Sequence, residues 1–461
     1  MQLKFKTSMP EKKLKLIITL GILMLYASLS TFAQNKKTDT IPSYNLDQCL
    51  AYALQNQPAI QQAAIELTIA HKTNLINLSN WLPHVGVNGT ITHYDQLPTT
   101  FAINSNNPTG PLIKENQGLV NSFMPMLSVT ETILSPEVLY AANSAHLFVQ
   151  QAKQSDDSTK IGLISNVSKA FYGLLFTMQQ VNVLKEDTTR LAKNLRDTYH
   201  QYVGGIVDKT DYKEASITLN NSKAQLKQAV ESVKPQYFSL KQLMGFPPEK
   251  DFNVLFDTLK MMQEIVFDTT QQLKFENRIE YQLLQTVKSL QQQNVNYYRF
   301  QFLPTLSAFY NYNWEYESNP YSTNLNGPYP FSYIGATISI PIFTGLQRLE
   351  SVQRAKLQEQ QLDLALTNLK SVIYTQYYNA LATYKSNLYD LKALSDNVVM
   401  SKDVYGVVSL QYKQGVVAYL NVITAESNLI SSEISYLNAL FNVLLSKVDL
   451  EKAMGISLSK H

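Results

Sequence analysis

Two incompatible periods run along this chain. Between Glu137 and Tyr202, the apolar positions Ile161, Ile164, Val167, Phe171, Leu174, Met178 and Val181 step by three or four, and Leu191, Leu195, Tyr199 and Tyr202 resume the rhythm. That spacing lays apolar side chains along one stripe of an α-helix. No proline falls inside the stretch and only Gly162 and Gly173 interrupt it, so at 1.5 Å per residue it predicts a helix roughly 100 Å long. Leu346 to Gln414 has similar reach. Pro136 suits a first helical turn, Gly204, Gly205 and Gly415 supply the permissive backbone of hairpin tips, and Pro235 is expected to kink a return helix.

Elsewhere the period drops to two. Leu306, Ala308, Tyr310, Tyr312, Trp314 and Tyr316 alternate with Ser307, Asn311, Asn313, Glu315 and Glu317, and Phe309 alone breaks the pattern. In the partner segment Ile334, Ala336, Ile338, Ile340 and Ile342 share a face. Apolar-out, polar-in alternation with clustered aromatics is how a transmembrane barrel strand reads, which makes Tyr310, Tyr312, Trp314, Ile334, Ile338 and Ile340 candidate lipid-facing residues. A half-buried strand of a soluble sandwich would show the same alternation. Against it stand an export leader and the expectation of only about four strands with no second sheet. Four strands leave two open edges, so closure must come from other copies of the chain.

The chain is also a tandem duplication. Trp81-Leu82-Pro83 returns as Phe302-Leu303-Pro304, an offset of 304 − 83 = 221. Tyr202-Val203-Gly204-Gly205-Ile206-Val207 returns as Tyr412-Lys413-Gln414-Gly415-Val416-Val417, and Met244-Gly245 as Met454-Gly455, at 455 − 245 = 210. The difference of 11 residues falls mostly in a longer loop of the first copy, around Leu97 to Gln117. Each copy reads helix, strand, loop, strand, long helix, tight turn, long helix.

Residues 1–33 read as a signal peptide: Lys4, Lys6, Lys12, Lys13 and Lys15, then an apolar stretch Leu16 to Leu29, then Thr31-Phe32-Ala33 before a cut at Gln34. Nothing later is expected to be apolar enough for a spanning helix. Without the leader the formal charge of +3 becomes 3 − 4 = −1, which argues against nucleic acid as a partner. The single cysteine, Cys49, excludes an internal disulfide and a cysteine zinc cluster, and reads as a small buried residue. The six histidines are scattered without metal-site spacing, and no GxSxG, phosphate loop, dinucleotide fingerprint or HExxH occurs. Neither a cofactor, a metal nor an enzyme is expected. The paired acids Asp156-Asp157 and Glu186-Asp187 read as solvated helix faces.

With these landmarks in order, the chain resembles the TolC family of outer membrane efflux proteins across nearly all of Leu46 to Gly455. Leu46-Asp47-Gln48-Cys49-Leu50-Ala51-Tyr52-Ala53-Leu54-Gln55-Asn56-Gln57-Pro58 is similar to the family's entry helix, and the Leu-Pro before each strand pair and the glycine at each tip match as well. The resemblance implies a homotrimer whose four strands per chain close a twelve-stranded barrel in outer membrane lipid. A helical barrel would continue it through the periplasm, docked onto a periplasmic adaptor and an inner-membrane transporter. The adaptor-docking tips would be Gly205, Ile206, Gly415 and Val416. Where well-studied members narrow the entrance with acids, this chain has Asn421 and Thr424, and Val417 stands at the basic latch position. Asp211 and Glu214 keep acids at the equivalent places of the first copy, so either pair is a candidate periplasmic gate.

The expected fold is therefore mainly α with β: duplicated long helical hairpins forming a periplasmic α-barrel, plus four strands per chain of a trimeric transmembrane β-barrel. The expected divisions are 1–33 leader, 34–245 first repeat, 246–272 irregular equatorial connector, 273–455 second repeat and 456–461 tail. The expected function is a passive exit duct of an efflux or secretion system. A periplasmic adaptor, which would carry one hairpin flanked by lipoyl-like segments, and a non-conducting coiled-coil stalk are the rivals.

Overall fold

The computed structural model describes residues 41–103, 109–255, 265–268, 270–318 and 326–456. The leader, the tail beyond 456 and part of the connector lie outside them. Two units are distinguished, a small one of residues up to Tyr44 with Glu249–Leu255, and a large one of the remainder. In the small unit β1 (Ser43–Tyr44) pairs in parallel with a second two-residue strand, Asn253–Val254, and Tyr44 meets Phe252 edge-on at 5.4 Å.

The large unit begins with α1 (Leu46–Asn56), started by a capping box in which Asn45 and Gln48 exchange backbone and side-chain hydrogen bonds. Pro58, lacking an N–H that a first turn does not use, opens α2 (Pro58–Ser79). Pro83 then forbids further helix, and β2 (His84–His93) follows. The longer loop of the first repeat holds a hairpin of its own, β3 (Thr99–Ala102) with β4 (Ile113–Asn116). β5 (Asn121–Leu134) returns, and Ser135 accepts the N–H of Val138 to start α3 (Pro136–Val203). That helix has 68 residues, in line with the apolar stripe. After the tip, α4 (Lys209–Met244) runs through Pro235 as one helix.

The second repeat follows the same plan. The Asn253–Val254 strand is β6, and α5 (Ile279–Phe300), β7 (Thr305–Ser318), β8 (Asn326–Ser339), α6 (Gln347–Lys413) and α7 (Tyr419–Met454) complete the chain. The paired long helices have 68 and 67 residues and their return helices 36 each. The repeats even end alike. Gly245 and Gly455 adopt left-handed backbone at φ 66° and 67°, and a Cβ there would fall 2.7 Å from the Asn56 carbonyl oxygen or 2.9 Å from that of Asn277. Gln57 Nε2 then donates to the Gln242 carbonyl, as Arg278 donates to that of Ala453.

Four of the strands form an antiparallel sheet in the order β2-β5-β7-β8. Its register aligns residues into rows: Val85, Val129, Tyr310 and Ile334 share one row, and Val87, Leu127, Tyr312 and Ser332 the next on the same face. The opposite face carries Asn88, Met126, Asn313 and Phe331. Phe309, the exception in the alternation, sits opposite Gly335, and its ring occupies the space a side chain there would need, 2.5 Å from where a Cβ would sit. Two sequence expectations need correction here. β8 ends at Ser339, so Ile340 and Ile342 lie in the extended link to α6 rather than in the strand. The polar face is also less polar than the first strand implied, because Tyr329, Phe331 and Tyr333 of β8 point to it.

Among the described residues no helix packs along this sheet. The helices instead pack on one another, with α3 central and touching α2, α4, α5 and α7. Both α3 and α7 contain stretches apolar and long enough to cross a membrane by length and composition, contrary to expectation. Both stretches take part in helix packing, 56% of the α3 stretch and 39% of the α7 stretch being buried, with Leu174, Leu175, Val443 and Leu444 among the buried residues.

Candidate functional site

The hairpin tips are built by identical local chemistry. At the first, Gly205 N–H donates to the Tyr202 carbonyl and Ile206 N–H to that of Gln201; at the second, Gly415 donates to Tyr412 and Val416 to Gln411. This is the Schellman pattern, which requires a left-handed residue at the glycine. Gly205 and Gly415 take φ of 71° and 75°, whereas Gly204 remains right-handed at −76° and is not needed for the turn. The residue after each glycine projects outward, Ile206 being 75% and Val416 66% exposed. Two apolar side chains are thus presented to water at the ends of long helices.

Between the tips lies a cleft of roughly 520 Å³, lined by Gln201, Asp211, Tyr412, Val417 and Tyr419 among others. Tyr412 donates across it to Gln201 Oε1 at 2.6 Å. Behind it Ala215 of α4 and Tyr419 and Val422 of α7 make a buried apolar plug, with Leu195 and Tyr405 packed on it. Burial pushes the hydroxyl pKa of Tyr412 and Tyr419 above the usual range, so both stay neutral.

The structure does not bring all four sequence-picked gate residues together. Asp211 lines the inter-tip cleft. Glu214 lies one turn further along α4, exposed, and Asn421 and Thr424 lie one turn apart on the exposed side of α7, where the Thr424 hydroxyl donates to the Leu420 carbonyl. The predicted lipid-facing residues of β7 and β8 do share one face. Ile334 and Ile338 are exposed there, beside Val85 and Val87 of the other edge strand.

The largest departure from the sequence reading is Asp187. Expected on a solvated face, it is only 1% exposed and belongs to a buried ionic set joining the two hairpins. Arg190 lies 3.5 Å from Asp187, 3.5 Å from Glu426 and 3.8 Å from Glu433. Asp156 is likewise buried, paired with Lys160 at 2.6 Å. A signal for the first set was present in the sequence. Asp187 falls on the apolar stripe between Leu184 and Leu191, and Glu426 between Val422 and Leu429, so each acid occupies a seam position.

Cys49 is buried as read, its thiol pushed up to about 12 by desolvation. His93 accompanies Asp95 at 3.8 Å on the surface, and among the described residues no three potential ligands gather for a metal.

Comparison with known proteins agrees with the fold. The model of the family described as "Outer membrane efflux protein" matches residues 50–246 and 280–456. The outer membrane protein TolC of Vibrio cholerae is 20% identical over 317 residues, covering 66% of this chain and 71% of that one. The probable efflux pump outer membrane protein TtgC of Pseudomonas putida is 21% identical over 434 residues, 89% of this chain and 82% of the relative. The crystal structure of the Campylobacter jejuni CmeC outer membrane channel superposes with a TM-score of 0.71 at 19% identity, over 92% of this chain and 90% of that one. Duplicated hairpins, an uncovered sheet and a family match through both repeats converge: the chain belongs to the outer membrane efflux protein family.

Proposed function

We propose that this outer-membrane channel works as the passive exit duct of a tripartite export system, as a homotrimer. The observation that carries the reading is the sheet: among the described residues nothing covers its apolar face and nothing pairs with the outer edges of β2 and β8. Lipid accepts such a face but not such edges. Three copies pairing β8 to β2 would leave no edge in a twelve-stranded barrel. Ile206 and Val416, beside Gly205 and Gly415, would then meet a periplasmic adaptor, with an inner-membrane transporter supplying energy. The repeats are assigned to 34–245 and 273–455, joined by the connector 246–272. Conduction, not catalysis, is the activity.

The entrance is assigned to Asn421 and Thr424 with Asp211 and Glu214. Neutral groups on α7 make a weaker cation trap than a ring of acids, which concentrates field in a narrow pore. Single-channel recording of the purified protein in a planar bilayer tests the duct: discrete conductance steps are expected, and their absence in correctly assembled protein would refute it. Titration with a trivalent cation tests the gate. Weak block of wild type, strengthened in Asn421→Asp with Thr424→Asp, is expected. Tight block relieved by Asp211→Asn would move the constriction to the first copy, and tight block that survives both Asp211→Asn and Glu214→Gln would remove all four residues from it.

A further inference from the structure

The buried ionic set is short of positive charge. Asp187 and Glu426 are each about 1% exposed, and Glu433 is largely covered; facing them are Arg190 and, beyond Glu433 at 3.6 Å, the 61% exposed Lys402. Every element packed around Glu426 contributes: α3 gives Asp187, Arg190 and Asn194, α4 the Ser222 hydroxyl, α6 Lys402 and Tyr405, and α7 Glu433 and Tyr419. Three ionised carboxylates against two cations leave one negative charge uncompensated, and an unbalanced buried charge is costly. One bound proton neutralises the set.

The hydrogen bonding shows the same shortage. Arg190 is divided among three acids at 3.5–3.8 Å, longer than tight charge-assisted bonds. Its Nε and one terminal nitrogen, Asp187 Oδ1 and Glu426 Oε1 are all buried without a hydrogen bond. Burial pushes the Asp187 carboxyl above its ordinary range, and the Ser222 hydroxyl, donating to Asp187 Oδ2 at 2.6 Å, together with Arg190 pulls the other way. Glu426 accepts from Asn194 at 2.8 Å and has Asp187 as a like-charged neighbour. The two acids share the shortage, and Glu426, without a hydroxyl donor of its own, is the member assigned the proton.

We propose that Asp187, Arg190, Glu426 and Glu433 form a proton-operated latch that clamps α3 to α7 when Glu426 is protonated and loosens that seam when it ionises. The set lies roughly 20 Å from the tips at 1.5 Å per residue, so loosening it leaves the apolar plug of Ala215, Tyr419 and Val422 and the Tyr412–Gln201 hydrogen bond as the remaining ties near the tips. Burial first, and the Asp187 charge second, push the Glu426 carboxyl up to about 7 from its ordinary 4.5. A raised acid pKa means the folded seam holds the proton more tightly than a solvated chain does. Its contribution is full below about 4.5 and is lost as pH rises through about 7.

The test measures hairpin separation and does not depend on conduction, so failure of the latch and failure of the duct reading are distinguishable. Spin labels at Val203→Cys and Leu420→Cys, both exposed positions flanking the tips, report the distance between hairpins, while buried Cys49 stays unlabelled. Purified protein is measured between roughly pH 5 and pH 9. Wild type should shift to longer distances with a midpoint near neutrality, and Glu426→Gln should stay at the acid-side distance throughout. Glu433→Gln releases Arg190 to Glu426, so the transition should move to lower pH; this variant decides the matter should Glu426→Gln misfold. A wild-type distance that ignores pH, an unchanged pH response in Glu426→Gln, or a Glu433→Gln midpoint that stays put or rises would overturn the latch.

Discussion

The long helices α3 and α6 are copies of one ancestral element, nearly equal in length, yet they bury themselves very differently. α3 buries a continuous series that includes Leu163, Ile164, Val167, Phe171, Leu174 and Leu175. α6 buries only Ala355, Ile373, Tyr377, Tyr384 and Leu391. Many of its other large apolar side chains, among them Leu357, Leu364, Tyr378, Tyr389 and Val399, are exposed. The reason is position: α3 lies among α2, α4, α5 and α7, whereas α6 packs mainly on α5 and α7. Equivalent sequence patterns thus serve one helix inside the chain and leave the other with an apolar face that no described residue covers and that the proposed trimer would cover. That is the helical counterpart of the unpaired strand edges.

The sharpest way to break this comparison is to truncate one side chain on each helix. Leu174→Ala removes a fully buried group and should cost about 2–5 kcal/mol of chain stability. Leu364→Ser, on the open face of α6, should leave helix content unchanged and weaken assembly instead. Circular dichroism melts alongside light scattering separate the effects, and equal unfolding by both variants would contradict an intersubunit role for α6.

A smaller effect is expected where the repeats meet lipid. Val87 on β2 and Ile338 on β8 are on the same face at opposite edges. Both lie toward the helix-side ends of their strands, so Val87→Arg and Ile338→Arg should each lose less than the roughly 2–4 kcal/mol of a midplane arginine, whereas Thr337→Arg on the other face should assemble nearly normally. The yield of assembled protein in outer membranes is the readout. Equal yields from Ile338→Arg and Thr337→Arg would reverse the facing assignment.

The tips should respond alike. Gly205→Ala and Gly415→Ala meet no neighbouring atom within 4 Å, so each should lose only the roughly 1 kcal/mol of left-handed strain, seen as matched drops in melting temperature. Smallest of all is Gly406→Ala. Inside α6 with open space around it, it should gain up to about 1 kcal/mol in helix propensity. A loss there instead would mean that a neighbouring copy packs against that point.

The sequence by itself determined what depends on near neighbours along the chain. The stripe of threes and fours specified helices that end within a residue or two of the expected bounds, Pro136 marked a helix start, and the returning Tyr-x-x-Gly segments marked both tips. Alternation likewise specified β7 and its two faces. Tertiary structure decided what depends on residues far apart in sequence. Phe309 broke the alternation because Gly335, on the next strand, left room for its ring. Asp187 reads as a solvated acid from its neighbour Glu186, and its meeting with Glu426, 426 − 187 = 239 residues away, came only when α3 and α7 enclosed both around Arg190. Which of the twin helices became the interior one was also beyond periodicity. A period fixes which face of an element is apolar, but whether that face meets its own chain, another copy or lipid depends on what the fold places opposite it.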